Sequence, residues 1–174
     1  NKESLAFILK LIKKYKFKDI LEIGTAIGYL AISIAINNEE SYVTTIEKDK
    51  IRYLKAIENI NKFKLKERIT LIFNDALEVN LKEKFDLIII DAAKTKNIEF
   101  FSKYKSMLNE NGVILIDNMN FHGLVGSSDT IQSKNLKKLV QKIEDSIKFL
   151  KSLKEFKVEF LSIGDGLALC QMQK

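Results

Sequence analysis

The stretch Asp19-Ile-Leu-Glu-Ile23 running into Gly24-Thr-Ala-Ile-Gly28 constrains this chain more than any other. A short apolar run that breaks at a glycine and resumes with helical spacing is the strand–turn–helix opening of an α/β unit. Such a unit cannot bury both faces of its strand alone. More strands, with helices crossing over between them, must follow.

The rest of the sequence has that rhythm. Leu5, Ile8, Leu9, Leu11 and Ile12 predict a leading helix over 3–15. Residues 27–37 read as a helix closed by Asn37-Asn38, and Tyr42 to Ile46 as a strand with Glu47 at its end. Helical spacing returns over 49–63, with Ile51, Leu54, Ile57 and Ile60 on one stripe, and 68–73 is the next strand. Phe85 to Ile90, broken only by Asp86, has the continuous apolar character of a strand covered on both faces. A helix over 97–108 and a buried strand over 112–116 come next. A loop with Gly123 and Gly126 then leads to an amphipathic helix near 134–151, whose stripe is Leu136, Leu139, Val140, Ile143, Ile147 and Leu150. Residues 156–163 and 167–172, around Gly164-Asp165-Gly166, predict a closing antiparallel hairpin. With no repeat and no linker, residues 1–174 are expected to form a single doubly wound, Rossmann-like α/β domain on a mostly parallel seven-stranded sheet.

Composition removes several functions. No apolar run nears the ~20 residues of a membrane span, and no signal-peptide pattern opens the chain. Cys170 is the only cysteine, which excludes an intramolecular disulfide and suits a reducing, cytoplasmic setting. The net charge of +6 permits an RNA partner without demanding one. Of the 29 basic residues only Arg52 and Arg68 are arginines, and lysine lacks the planar fork that reads phosphates and base edges best.

In open α/β sheets, ligands bind beyond the carboxyl ends of the strands. Gly24 and Gly28 there permit tight turning and close approach to a ligand, and Glu47 can accept both hydroxyls of a ribose. A dinucleotide fingerprint needs a glycine where this chain has Ala26, which argues against a nicotinamide-dependent oxidoreductase. The spacing Glu22-x-Gly24-x-x-x-Gly28 instead resembles the cofactor loop of S-adenosylmethionine-dependent methyltransferases. Asp75, past the third strand, then suits an adenine amino group.

Asp91 and Asp117 each follow a long apolar strand, and Asn118 adds a neutral oxygen. If the two strands are neighbours, both carboxylates converge on one cation, and an oxygen-only set with open positions suits Mg²⁺. Zn²⁺ has only His122 and Cys170 to draw on, far apart in the sequence. Lys94, three residues past Asp91, becomes a usable base beside such a cation. His122 reads as a loop histidine and Cys170 as a small buried strand residue. The lysines at 10, 13 and 14 and at 134, 137, 138 and 142 read as solvated helix faces or phosphate contacts. A non-catalytic RNA-binding module would leave the strand-end carboxylates without a purpose.

Leu21-Glu-Ile-Gly-Thr-Ala-Ile-Gly-Tyr29, Ile90-Asp-Ala-Ala-Lys94, Ile116-Asp-Asn118, Phe121-His-Gly123 and Gly164-Asp-Gly-Leu-Ala168 occur in that order. The series resembles the Mg²⁺-dependent class I O-methyltransferases of the catechol and caffeoyl-CoA type. Within them it is most similar to the bacterial branch that converts 5-hydroxyuridine in tRNA to 5-methoxyuridine. The resemblance implies Asp91, Asp117 and Asn118 as metal ligands, and Lys94 with Asp91 as catalytic residues. It implies Glu22, Gly24, Ala26, Gly28, Tyr29, Glu47, Asp75 and Asp91 at the cofactor. It also implies a homodimer and a tRNA substrate, or alternatively a small catechol-like or caffeoyl-CoA-like phenol. The family carries a longer N-terminal segment over its substrate pocket and dimer contact, whereas this chain begins close to the sheet.

Overall fold

In the computed structural model, which describes residues 1–126, 129 and 131–173, seven strands form one sheet in the order β3-β2-β1-β4-β5-β7-β6. The strands are β1 (Asp19–Ile23), β2 (Tyr42–Glu47), β3 (Ile69–Phe73), β4 (Phe85–Ile90), β5 (Leu108–Asp117), β6 (Phe156–Leu161) and β7 (Leu167–Met172). β1 to β5 pair in parallel, while β7 runs antiparallel to both β5 and β6. This is the mixed sheet with a C-terminal hairpin expected from the sequence.

Helices cover both faces. α1 (Lys2–Tyr15), α2 (Tyr29–Asn37) and α3 (Lys50–Lys62) pack on one side, through Ile8, Ile12, Ile34 and Ile60 against Ile20, Leu87 and Leu115. α4 (Asn97–Tyr104) and α5 (Lys134–Ser152) close the other, where Phe100, Phe101, Tyr104 and Leu150 meet Leu21, Ile88 and Ile114. β4 and β5 are the most enclosed strands: Leu87 to Ile90 and Ile114 to Ile116 are all solvent-free. At about 2–3 kcal/mol for each large side chain removed from water, this pair is the anchor of the fold. Cys170 is buried on β7 as expected, and burial pushes its thiol up to about 12.

Three local readings need correction. α2 begins at Tyr29 rather than 27, because Gly28 is its N-cap in a left-handed conformation (φ 87°). α3 does not bury the Ile51–Leu54 end of its stripe. Ile51 is 80% exposed and Leu54 49%, while Ala56 and Ile60 form the inner face. The Asp49 side chain caps α3 through the Arg52 N–H (2.9 Å), and Ala56 lies against Gly28, so the small residue sets the phase of the helix. Finally, α4 ends at Tyr104 and a 3-10 turn over Lys105–Met107 hands the chain to β5 at Leu108, four residues before the predicted strand. The extra length carries a register shift against β4 between Phe85 and Leu87. Gly112 is needed there, since a Cβ would stand 2.9 Å from Leu108 Cδ2 and 3.0 Å from Phe85 O. Among the described residues no helix is long and apolar enough to cross a membrane.

Candidate active site

The sheet order reverses between β1 and β4, and the crevice beyond their carboxyl ends is where such sheets bind ligands. A cavity of about 350 Å³ opens there. Its walls include Gly24 and Ala26 after β1, Glu47 and Lys48 after β2, Asn74 to Leu77 after β3, Asp91 to Ala93 after β4, and Lys96 and Phe100 at α4. Five of the residues expected at a cofactor therefore meet in one place: Gly24, Ala26, Glu47, Asp75 and Asp91.

Gly24 is compelled by space. With φ at +103°, a Cβ on it would lie 2.2 Å from the Asp91 carbonyl oxygen, because Asp91 N–H bonds to Ile23 O (3.0 Å) and closes β1 against β4. Glu47 is a fastened carboxylate. Its Oε2 accepts the Ala26 N–H (2.8 Å), and its Oε1 accepts the N–H groups of Lys48 (3.0 Å) and Asp49 (2.8 Å). Of roughly four lone-pair sites, one on Oε2 is left for a ligand hydroxyl. Asp75 receives the Leu77 N–H on Oδ1 (2.9 Å) and Lys48 Nζ on Oδ2 (3.2 Å). The Leu77 bond leads in holding its carboxyl below the usual carboxylate range.

Glu22, Gly28 and Tyr29 stand elsewhere. Gly28 turns toward Ile32 and Ala56, and Tyr29 is exposed on the first turn of α2. Glu22 is buried beneath the loop, where its Oε2 accepts the Thr45 hydroxyl (2.5 Å), and Thr45 Oγ1 lies 2.6 Å from Thr25 Oγ1. Burial foremost, with the charges of Asp91 and Glu47, raises its pKa to about 8.

The second cluster adjoins the first. Ile90 pairs with Ile116, so Asp91 and Asp117 leave adjacent parallel strands at one level, about 4.8 Å apart between strands. Asp91 Oδ1 receives Lys94 Nζ at 2.8 Å and Asn118 Nδ2 at 3.3 Å. Asp117 is buried, and its Oδ1 takes the Asn118 N–H at 2.7 Å. Burial, then the neighbouring Asp91 charge, pushes its carboxyl above the usual range. Among the described residues no three His, Cys, Asp or Glu side chains group as a metal cage. The donor set is two carboxylates and one amide, whose oxygen takes the place of its nitrogen by rotation about the last side-chain bond. Two like charges held together at a partly dry site fit a hard divalent ion that keeps open positions.

Lys94, one lysine among 27, is set apart by its surroundings, since its side chain is only 15% exposed. The loop after Asn118 is tied to the β6–β7 turn: Met119 N–H bonds to Gly166 O (2.9 Å), Asn120 N–H to Asp165 O (2.8 Å) and His122 N–H to Asp165 Oδ1 (2.5 Å). His122 is otherwise exposed, in keeping with a loop histidine. Met119 and Asn120 also line a second cavity of about 470 Å³, bounded by Ile147, Lys151, Phe160 and Leu167. Sequence reasoning missed Lys48, Arg52, Lys96 and Phe100 in the crevice wall. Only Phe100, on the buried face of α4, carried a signal that could have marked it.

A family model described as O-methyltransferase matches residues 1–173. The chain belongs to the O-methyltransferase family. This bears out the enzyme class expected from the sequence, an S-adenosylmethionine-dependent O-methyltransferase. A caffeoyl-CoA O-methyltransferase of Populus kitakamiensis is 28% identical over 174 residues, spanning 95% of this chain and 74% of the poplar protein. The crystal structure of a candidate caffeoyl-CoA O-methyltransferase from Staphylococcus aureus superimposes with a TM-score of 0.92 at 34% identity, over 98% of this chain and 83% of that one. An O-methyltransferase from Bacillus cereus, solved in complex with SAH, gives 0.84 at 25% identity, over 98% and 80%. The methyltransferase sheet is thus shared with solved relatives.

Proposed function

We propose that this methyltransferase moves the methyl group of S-adenosylmethionine onto a phenolic hydroxyl of a small catechol-like acceptor, of the kind carried by a caffeoyl thioester. The observation that carries the reading is the adjacency of two sites at one sheet end. One is a nucleoside-sized crevice, and the other is the Asp91–Asp117–Asn118 group with Lys94 against it. The names of the poplar and staphylococcal relatives support a phenolic acceptor over an RNA one.

In this reading Glu47 takes the ribose, and the Asp75–Leu77 turn takes the adenine. Gly24 leaves room for the donor beside Asp91, which belongs to both sites. Asp91, Asp117 and Asn118 hold Mg²⁺, which when bound supplies a fixed positive charge that makes a nearby hydroxyl more acidic. Lys94, held beside Asp91, is the group placed to accept the hydroxyl proton. The new bond joins the acceptor oxygen to the methyl carbon as the carbon–sulfur bond breaks, and neutral S-adenosylhomocysteine leaves. Holding donor and acceptor together replaces a bimolecular encounter with an internal one.

Methyl transfer from labelled donor to caffeoyl-CoA or catechol tests the proposal. Turnover should need added Mg²⁺ and stop with EDTA; full turnover in EDTA rejects the metal, and no methylation of either phenol rejects the acceptor. A 5-hydroxyuridine in tRNA is the second reading. It presents two neighbouring oxygens as a catechol does, and exposed lysines at 10, 13, 14, 134, 138 and 142 suit a phosphate backbone. Steeply salt-dependent tRNA binding, with 5-methoxyuridine formed in vitro, would favour it. The reading further takes residues 1–174 as one domain that acts as a homodimer in the cytoplasm, and sedimentation tests the dimer.

A further inference from the structure

The wall of the crevice that follows β3 is an irregular turn, yet it is fastened more firmly than its sequence suggests. Three main-chain carbonyls of this turn are gripped from below by two consecutive side chains of α4. Lys103 Nζ donates to Leu77 O at 2.7 Å and to Val79 O at 2.6 Å, and Tyr104 Oη donates to Ala76 O at 2.6 Å. Tyr104 is solvent-free, and Lys103 stretches its ammonium across the Tyr104 ring, 5.5 Å from the centroid. The turn adds its own bonds: Glu78 and Val79 N–H both reach Asp75 O, at 2.9 and 3.1 Å, and Leu77 N–H reaches Asp75 Oδ1.

One group in the turn stays free. Ala76 N–H has no partner among the described residues, although Ala76 lines the crevice. Beside it stands the Asp75 carboxylate, kept ionised by the Leu77 and Lys48 bonds and by the Lys103 charge. A free donor next to a charged acceptor, both fixed in the wall, is the complement of a base edge that offers one acceptor and one amino group. Adenine has such an edge, and hypoxanthine reverses it.

We infer that Lys103 and Tyr104 are positioning residues that fix the Asp75–Leu77 turn in the shape that receives the adenine of the methyl donor. Neither touches the donor. They act by holding the carbonyl sides of the peptide units so that Ala76 N–H and Asp75 keep their place. Even a partly buried ammonium gains from charge-assisted hydrogen bonds, so the two carbonyls also secure Lys103 in return. The inference rests on the proposal that this crevice binds the donor.

Calorimetry on the full chain with S-adenosylhomocysteine and with S-inosylhomocysteine tests it, comparing wild type with Tyr104→Phe and Lys103→Met. The wild type should prefer the adenosyl ligand at least ~tenfold. Each variant should lose about tenfold in affinity for the adenosyl ligand, the scale of one buried hydrogen bond, and almost none for the inosyl one. Donor KM should rise with kcat unchanged, and amide exchange at 77–79 should quicken without any ligand present. Tyr104→Phe removes a single oxygen and Lys103→Met keeps the aliphatic stem, so either variant alone decides the matter. An equal loss on both ligands, or no loss, overturns the positioning role. If the wild type binds no S-adenosylhomocysteine, the crevice proposal falls, and this inference with it.

Discussion

Lys94 Nζ lies 2.8 Å from Asp91 Oδ1, so the protein pairs an amine directly with one carboxylate of a neighbouring pair and not with the other. Among the described residues, the hydrogen bond to Asp117, on the adjacent strand, comes from the Asn118 N–H on its Oδ1. That asymmetry separates the tasks of the two residues. Asp91 holds the amine directly, whereas Asp117 feels the Lys94 and N-terminal charges only at a distance.

Replacing Lys94 with Gln should therefore cut the transfer rate by about 10²-fold or more, the usual contribution of a positioned base. Binding of S-adenosylhomocysteine should change little, since Lys94 is not in the crevice wall. Steady-state rates with calorimetry separate the two effects. An undiminished rate would assign proton removal to solvent.

Asp117→Asn should abolish Mg²⁺-dependent turnover, by at least ~10²-fold, yet raise the stability of the metal-free protein. Burial and the Asp91 charge lift the Asp117 carboxyl above the ordinary range, so the native state holds its proton longer than the unfolded chain. Stability from this group is present at low pH and is lost as pH rises through the lifted value. The advantage of the variant in urea melts should accordingly be larger at pH 8 than at pH 4.

Glu22→Gln carries a sharper pH signature. With its pKa raised from 4.5 to about 8, Glu22 makes the wild type lose stability as pH climbs through that interval. The slope approaches at most about 1.4 kcal/mol per pH unit for one proton. Denaturant titrations at half-unit steps should show this slope in the wild type and a flatter curve in the variant. Identical curves would mean that Glu22 ionises normally.

Gly24→Ala should be among the most damaging single methyl additions. Its Cβ would sit 2.2 Å from Asp91 O and 2.8 Å from Asp91 C, at a φ that L side chains rarely adopt. Relief requires β1 and β4 to part at the crevice, at a cost of about 2–4 kcal/mol. Thermal melting reads the loss. The same substitution at Gly123, also at positive φ (78°) but with nothing within 4 Å of a Cβ, should cost less and isolates the clash from the backbone strain.

Much of this was legible because it is local. Ile88 to Ile90 and Val113 to Ile116 announce covered strands by composition, and Gly24 announces a turn because few other residues can make it. The C-terminal hairpin follows from two β-prone runs around Gly164 and Gly166. The α3 stripe failed for an equally physical reason. Helical spacing says which residues share a face, but not which face wins when Ala56 must fit against Gly28. The start of β5 failed because Asn109 to Asn111 carry no strand propensity and lie in the register shift between the Phe85–Leu108 and Leu87–Val113 pairs.

The site divides along the same line. Glu22 and Gly24 stand two residues apart in one motif, yet one carboxylate is buried against Thr45 while the glycine faces the crevice. Lys103 and Tyr104 read as ordinary helix residues, and their grip on Ala76, Leu77 and Val79 spans a separation of more than twenty positions. By itself, the sequence determined the elements, the glycine turn and the acidic strand ends, because backbone preference and hydrophobic period act over a few residues. Only the tertiary structure decided that Asp91 and Asp117 leave neighbouring strands at one level and that α4 holds the turn after β3. Those contacts depend on strand order and register, which the packing of the whole sheet selects.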